Sequence, residues 1–210
     1  MPREGNPFDG ENLDYTVERT PTVLMLDTSG SMKKSPSGSD RARINLLNQG
    51  LEQFKNEVME KTHAQRRVDL SVITFGGGVE VVHEFTQVKN WTPPGLNPGG
   101  TTPMGDAIEI AIDRVEDVKS TYSREGISYN RPILWLLTDG KPDMSEGSER
   151  WEIVKRQVEV GTNKDKFIFF ALGMGDADVQ RLTRLAEGTG NPALQMKPGQ
   201  FSEFFNFVSN

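Results

Sequence analysis

Two short apolar runs that each stop at an aspartate limit most strongly how this 210-residue chain can fold. Residues 23–26 stop at Asp27, and residues 133–138 stop at Asp139. Short runs without polar alternation are typical of strands buried on both faces, which occur in parallel sheets covered by helices. We therefore expect both aspartates to lie at the ends of buried strands.

The rest of the chain alternates between strand and helix patterns. Apolar residues spaced three and four apart predict helices, and the glycines at 76–78 predict a hairpin turn. Ser39 or Asp40 is predicted to cap the first helix. The predicted helices cover residues 44–58, 104–118, 151–158, 179–186 and 201–208, and the further strands cover residues 68–75, 79–85, 167–172 and 193–196. The predicted fold is α/β, with a doubly wound, mostly parallel central sheet, one antiparallel edge strand and helices on both faces.

Composition divides the chain into two parts. Residues 1–20 are polar, acidic and rich in Gly, Pro and Asn, so they are predicted to form a polar N-terminal arm at the surface. Residues 21–210 are predicted to form one domain. A chain of this length buries roughly 70% of its unfolded surface and needs no covalent crosslinks.

Charge and composition exclude several classes of function. The 24 basic and 30 acidic residues give a net charge of −6, which disfavours nucleic-acid and anionic membrane partners. The chain has no cysteine and two histidines, so thiolate and imidazole metal sites are not expected. No apolar run approaches the roughly 20 residues that span a bilayer. The N-terminus has no apolar signal core, and the predicted location is cytoplasmic.

Oxygen-bearing side chains follow the two strands that end in aspartate. Residues 27–31 read Asp-Thr-Ser-Gly-Ser, residues 138–140 read Thr-Asp-Gly, and a Gly-Gly-Thr-Thr loop at 99–102 opens the second long helix. Ligands of open α/β sheets bind beyond the carboxyl ends of strands, where the strand order reverses. If the two aspartate-ending strands are neighbours, these three segments converge.

The converging groups would be two carboxylates and several hydroxyls, a donor set of oxygens that suits Mg²⁺ first and Mn²⁺ or Ca²⁺ next. Ser29 and Ser31 are two residues apart, so one tight turn can aim both hydroxyls at a common point. Neutral hydroxyls leave most of the ion's charge uncancelled, and a carboxylate from another molecule can complete the site. Each segment taken alone is better explained as an ordinary turn or a helix cap, and it is the three together that indicate a metal site.

Four basic residues, Lys33, Lys34, Arg41 and Arg43, follow the first of these segments. They are interpreted as solvated loop and helix residues. The alternative is a basic rim that steers an acidic partner to the site.

Taken together, Asp27-Thr-Ser-Gly-Ser31, Gly-Gly-Thr101 and Thr-Asp139-Gly resemble the metal-ion-dependent adhesion site of the von Willebrand factor type A (VWA) domain family. The amino-acid sequences of the motifs are similar to those of the bacterial TerY-type branch of this family, which is associated with tellurite-resistance and stress operons. The resemblance implies that Ser29 and Ser31 contact the metal directly, and that Asp27 and Asp139 act mainly through water. Thr101 fits the Gly-x-Thr pattern of the loop ligand, and Thr102 stays open as the alternative.

The predicted function is therefore a metal-dependent protein-interaction module and not an enzyme. A partner protein would supply a Glu or Asp to the metal. The resemblance implies a bacterial stress or defence complex, with a protein kinase or phosphatase of the same operon as partner. One alternative is a phosphoryl-transfer enzyme of the haloacid-dehalogenase type, which needs a second Asp where this chain has Ser29. The other is a VWA fold whose metal site is vestigial.

Overall fold

The computed structural model describes residues 7–8, 14–140 and 142–196 of the chain. Strands and helices alternate along these residues as the sequence predicts, and the helix predicted over 201–208 lies outside them. The strands are β1 (Thr20–Asp27), β2 (Val68–Phe75), β3 (Val79–Gln87), β4 (Ile133–Thr138), β5 (Ile168–Met174) and β6 (Leu194–Met196). The helices are α1 (Arg43–Glu60), α2 (Thr62–Arg67), α3 (Met104–Glu125), α4 (Glu149–Asn163) and α5 (Val179–Leu185), and a short 3-10 turn covers Gly30–Lys33.

The strands form one sheet in the order β3-β2-β1-β4-β5-β6. The edge strand β3 runs antiparallel to β2, and every other pair is parallel. This arrangement confirms the predicted fold class. Because β2 lies on one side of β1 and β4 on the other, the strand order reverses between β1 and β4, which is where ligands of such sheets bind. Asp27 and Asp139 therefore follow neighbouring strands.

Each face of the sheet carries its own apolar core, because successive side chains of a strand point to opposite faces. In β1, Val23 and Met25 pack in a cluster with residues of α3 and α4. Leu24 and Leu26 pack in a second cluster with residues of α1. Burial on both faces explains the unbroken apolar runs. Among the described residues, no helix is both long and apolar enough to cross a bilayer.

The predicted cap of the first helix is wrong. Helix α1 begins at Arg43, and its N-cap residue, Ala42, offers no side-chain hydrogen bond. The hydroxyl of Ser39 instead accepts a hydrogen bond from the backbone N–H of Arg41 at 3.1 Å. Ser39 thus closes a local turn before the helix, a use of serine that competes with helix capping.

Two residues of the predicted N-terminal arm are buried, so the expectation of a surface arm is wrong for them. Phe8 is 2% exposed and stacks on the ring of Tyr122, with centroids 5.7 Å apart. Arg19 is 1% exposed. Burial of a large aromatic ring is a substantial source of stability, so Phe8 is part of the core. The boundary at residue 21 itself stays a prediction.

A buried ion pair lies where β1 and β2 begin. The guanidinium of Arg19 pairs with the carboxylate of Asp69, and its Nε lies 2.9 Å from Asp69 Oδ2. The hydroxyl of Tyr122 donates to the same carboxylate oxygen. Burial, reinforced by the negative charge of Asp69, raises the pKa of Tyr122 well above its ordinary value, so this hydroxyl stays a donor.

The Asp69→Ala substitution is expected to lower the free energy of unfolding by about 3–5 kcal/mol, because it leaves the buried guanidinium of Arg19 without its carboxylate. Urea denaturation followed by circular dichroism measures the loss. Glu18→Ala is the control: Glu18 lies 3.9 Å from Arg67 in an exposed ion pair, and its loss should cost less than about 1 kcal/mol. Equal effects of the two substitutions would contradict the assignment.

Candidate metal site at the edge of the sheet

Three backbone segments meet beyond the carboxyl ends of β1 and β2: the turn at 28–31, the hairpin turn at 76–78 and the loop at 99–102. Main-chain hydrogen bonds join all three. The N–H groups of Gly30, Gly99 and Gly77 donate to the carbonyl oxygens of Gly100, Thr28 and Thr101, at 3.0, 2.7 and 2.9 Å. The loop at 99–102 is therefore held from both sides, next to the first predicted motif.

Glycine permits the contact between these segments. A Cβ on Gly100, whose φ is +71°, would lie 2.3 Å from the Cα of Gly77. A Cβ on Gly76 would lie 2.4 Å from the carbonyl oxygen of Thr28. The sequence predicts a hairpin turn at residues 76–78 but not its second role, which is to wall the candidate site. Three consecutive glycines at the carboxyl end of a buried strand are the signal that could have indicated it.

Asp27 is buried at the end of β1, and both of its carboxylate oxygens are hydrogen-bonded. Oδ1 accepts from the backbone N–H of Ser29 at 2.8 Å, and Oδ2 accepts from the hydroxyl of Thr138, on β4, at 2.6 Å. Burial raises the pKa of Asp27, the bonds from Ser29 and Thr138 oppose that rise, and the nearby charge of Asp139 adds to it. A cation beside the two carboxylates would offset the cost of keeping them ionised.

The other predicted ligands lie around Asp27. The hydroxyl oxygens of Ser29 and Ser31 are 2.9 Å apart, so the tight turn brings these two side chains together. Asp139 is 5% exposed, and its buried Oδ1 has no hydrogen-bond partner among the described residues. A buried carboxylate oxygen without a donor is costly unless a cation or water meets it. This donor set of oxygens fits a hard divalent cation.

The loop ligand is less closely defined than the serines. Thr101 is exposed and Thr102 is 8% exposed, and both lie in the loop held by the glycine contacts. Among the described residues, no group of three or more His, Asp or Glu side chains is placed to hold a metal. A site of two carboxylates plus hydroxyls does not require such a group. The choice of Thr101 over Thr102 stays a prediction.

For two residues that support the candidate site, the structure differs from the sequence-based prediction or adds a role that was not predicted. Arg43 is 8% exposed, so its interpretation as a solvated residue is wrong. Its guanidinium donates to the carbonyl of Ser31 at 3.3 Å and to Asp176 at 3.0 Å, which ties the β1–α1 loop to the residues after β5. Thr138 belongs to a predicted motif, but no role beside Asp27 is predicted for it. A hydroxyl one residue before Asp139, on the strand beside β1, is the signal that could have assigned it to Asp27.

The sequence model of the von Willebrand factor type A domain matches residues 22–207. No curated protein sequence matches the chain. Among solved structures, the PilB minor pilin from Streptococcus sanguinis is 15% identical with a TM-score of 0.59, over 92% of this chain and 61% of that one. The ArnB paralog VWA2 from Sulfolobus acidocaldarius is 18% identical with a TM-score of 0.58, over 92% and 45%. The manganese-loaded TRAP protein of Plasmodium vivax is 17% identical with a TM-score of 0.57, over 91% and 72%.

These structural similarities concern the fold alone, because the identities are low. The chain spans about three fifths of the length of the pilin and less than half of the Sulfolobus protein. What those longer proteins do as wholes therefore does not carry over to this chain.

The Gly100→Ala substitution is expected to destabilise the fold by about 1–3 kcal/mol, because the added methyl meets Gly77 and the backbone keeps a positive φ. Urea denaturation measures the change. Gly99→Ala is a matched control, since a Cβ there meets nothing within 4 Å, and its effect should stay within about 0.5 kcal/mol. If both variants unfold at the same urea concentration, the loops do not pack as described.

The stability of the metal-free chain is expected to fall as the pH rises through the raised pKa of Asp27. In the unfolded chain this carboxyl titrates near 3.8. Between that value and the higher folded pKa, the folded state binds more protons than the unfolded state, so raising the pH favours unfolding. Urea denaturation with chelator between about pH 4 and pH 7 should show a smaller loss in Asp27→Asn than in wild type. Asp40→Asn, at an exposed position, serves as control and should keep the wild-type pH dependence.

Proposed function

Because the chain belongs to the von Willebrand factor type A domain family, we propose that it is a metal-dependent protein-interaction module. The observation that carries the proposal is the buried Oδ1 of Asp139, which has no hydrogen-bond donor among the described residues. It belongs to a carboxylate close enough to Asp27 for its charge to raise that residue's pKa. A divalent cation is the group that would satisfy it while offsetting the charge of both aspartates.

The residues would contact the cation in different ways. Ser29 and Ser31 would bind it through their hydroxyls, and Asp27 and Asp139 would act mainly through water. Thr101, with Thr102 as the alternative, would join when a partner is bound. Mg²⁺ is the first choice for this set of oxygens, and Mn²⁺ or Ca²⁺ also fits. The TRAP protein of the same fold is manganese-loaded, which supports a cation of this class.

The bound cation would supply positive charge for an anionic group from outside the chain. The hydroxyls that hold it are neutral, so little of the charge is cancelled on the side of the serines. A Glu or Asp of a partner protein matches that charge and the preference for oxygen ligands. We also propose that the chain acts in a TerY-like bacterial stress complex, with a kinase or phosphatase as partner and a cytoplasmic location. These assignments rest on the amino-acid sequences of the motifs.

The phosphoryl-transfer alternative is not favoured. Its general acid would be a carboxyl group two residues after Asp27, and Ser29 occupies that position. The hydroxyl of Ser29 lies against the hydroxyl of Ser31 and cannot exchange protons as a carboxyl group does near neutral pH. Domains of the matched family are generally interaction modules and not enzymes, which agrees with this residue set.

Calorimetric titration with Mg²⁺ and Mn²⁺ is expected to show one ion bound per chain, with binding lost in the Ser29→Ala/Ser31→Ala variant because the neutral direct ligands are removed. Ser35→Ala/Ser37→Ala is the matched control, since both serines are exposed on the same loop, and it should bind like wild type. Thr101→Val and Thr102→Val are titrated separately in excess acetate as a stand-in for the partner's carboxylate, because the loop ligand would join only when such a group is bound. The variant with the weaker binding identifies the loop ligand.

Two results would contradict the proposal. Unchanged binding in the Ser29→Ala/Ser31→Ala variant would place the ion elsewhere. No binding by the wild-type chain, even with excess acetate as a stand-in for the partner's carboxylate, would favour a vestigial site.

A further inference from the structure

A groove with a volume of about 580 Å³ opens beside the candidate metal site at the β3 edge of the sheet. Glu80 and Val82 of β3 line one wall, and residues 94–97 line the other. Thr28 and Gly76, which belong to the segments that form the candidate site, line its near end. The groove is thus continuous with the surface that a metal-bound partner would cover.

The wall formed by residues 94–97 is held in place from helix α1. The side-chain amide of Asn48 donates to the carbonyl of Leu96 at 3.0 Å and accepts from the N–H of the same residue at 3.0 Å. Leu96 is 7% exposed and packs in the core on the α1 face of the sheet. Because both backbone groups of Leu96 are bonded, the groove is formed before any partner arrives, which reduces the ordering cost of binding.

The chemistry of the groove points to one kind of occupant. Among the described residues that line the groove, Glu80 alone is charged. Glu80 is exposed, and it forms no ion pair with any described residue. The remaining lining is uncharged, with the hydroxyl residues Thr28 and Thr74 and the aliphatic residues Val82 and Leu96. The groove therefore suits an extended peptide with small or aliphatic side chains and one cationic side chain that reaches Glu80.

The strand register sets how far this cation would be from the metal. Asp27 pairs with Phe75 of β2, and Phe75 pairs with Val79 of β3, the residue before Glu80. Neighbouring strands are about 4.8 Å apart, so Glu80 lies roughly 10 Å across the sheet from Asp27. An extended peptide advances about 3.3 Å per residue, and roughly three residues cover that span.

We propose that this groove is a second subsite of the partner-binding surface. It holds a Lys or Arg of an extended partner segment, about three residues from the carboxylate that binds the metal. The inference rests on the proposed metal-dependent function and adds to it the chemistry of the partner. The partner segment is of mixed charge, with its acidic residue at the metal and its basic residue at Glu80.

A peptide selection on the intact chain tests both the groove subsite and the metal-dependent binding on which it rests. A phage library of random ten-residue peptides is selected against the immobilised chain in Mn²⁺, and bound phage are eluted with chelator. The enriched peptides are expected to carry an Asp or Glu with a Lys or Arg about three positions away. The same selection on Glu80→Lys should replace the Lys or Arg by an acidic residue. Glu52→Lys makes the same change of charge at an exposed position of α1 and should leave the preference unchanged.

The affinity of one enriched peptide for the wild-type and variant chains then measures the contact between its basic residue and Glu80. Exchange of its Lys for Glu should weaken binding to the wild-type chain about fivefold and strengthen binding to Glu80→Lys by a similar factor, as expected for an ion pair at a solvent-exposed site. Acidic peptides without a basic preference, or a preference that Glu80→Lys does not change, would overturn the groove subsite and leave the metal module intact. A failure to enrich any Mn²⁺-dependent peptide would overturn the proposed function, and the subsite with it.

Discussion

The carboxylate of Asp27, buried where the central strand ends, is the constraint to which the rest of this edge of the sheet conforms. A buried carboxylate must receive hydrogen bonds on both oxygens, and here one bond comes from the turn at Ser29 and the other from Thr138 on the neighbouring strand. The second bond crosses the point where the strand order reverses. It joins the two strands whose following loops carry the candidate ligands. The group that makes the site costly to fold is therefore also the group that aligns it.

The loops around Asp27 have few alternative positions, because they pack backbone against backbone. Gly100 and Gly77 approach more closely than any residue with a Cβ could. Two main-chain hydrogen bonds join the loop at 99–102 to the first turn, and one joins it to the hairpin turn at 76–78. Arg43 adds a tie from the other side through the carbonyl of Ser31. Because folding already orders these loops, little conformational entropy is left to lose when a cation binds, and its ligands are already in position.

The two ends of the sheet stabilise the chain in different ways. At the start of β1 and β2, Arg19 and Asp69 are buried as a pair of opposite charges, and the hydroxyl of Tyr122 donates to the same carboxylate. At the other end, Asp27 and Asp139 are buried with like charges and without a cation from the described part of the chain. The first arrangement is complete within the described residues. The second is not complete within them, and this asymmetry is why the metal site is proposed at that end of the sheet.

Much of this could be predicted from the sequence, because it depends on local patterns. Apolar runs that stop at Asp27 and Asp139 identified the central strands, and the spacing of Ser29 and Ser31 identified a turn with two converging hydroxyls. Other features depend on residues far apart in the chain, and only the tertiary structure decided them. Phe8 and Arg19 belong to a polar stretch, yet they are buried because Tyr122 and Asp69 are there to receive them. The Gly76 turn walls the site, and Glu80 faces a groove, because β3 returns beside the loop at 94–97. The sequence by itself determined which residues end the strands and what chemistry they carry. The order of the strands decided which side chains became neighbours, because local sequence periodicity does not indicate which strands lie side by side.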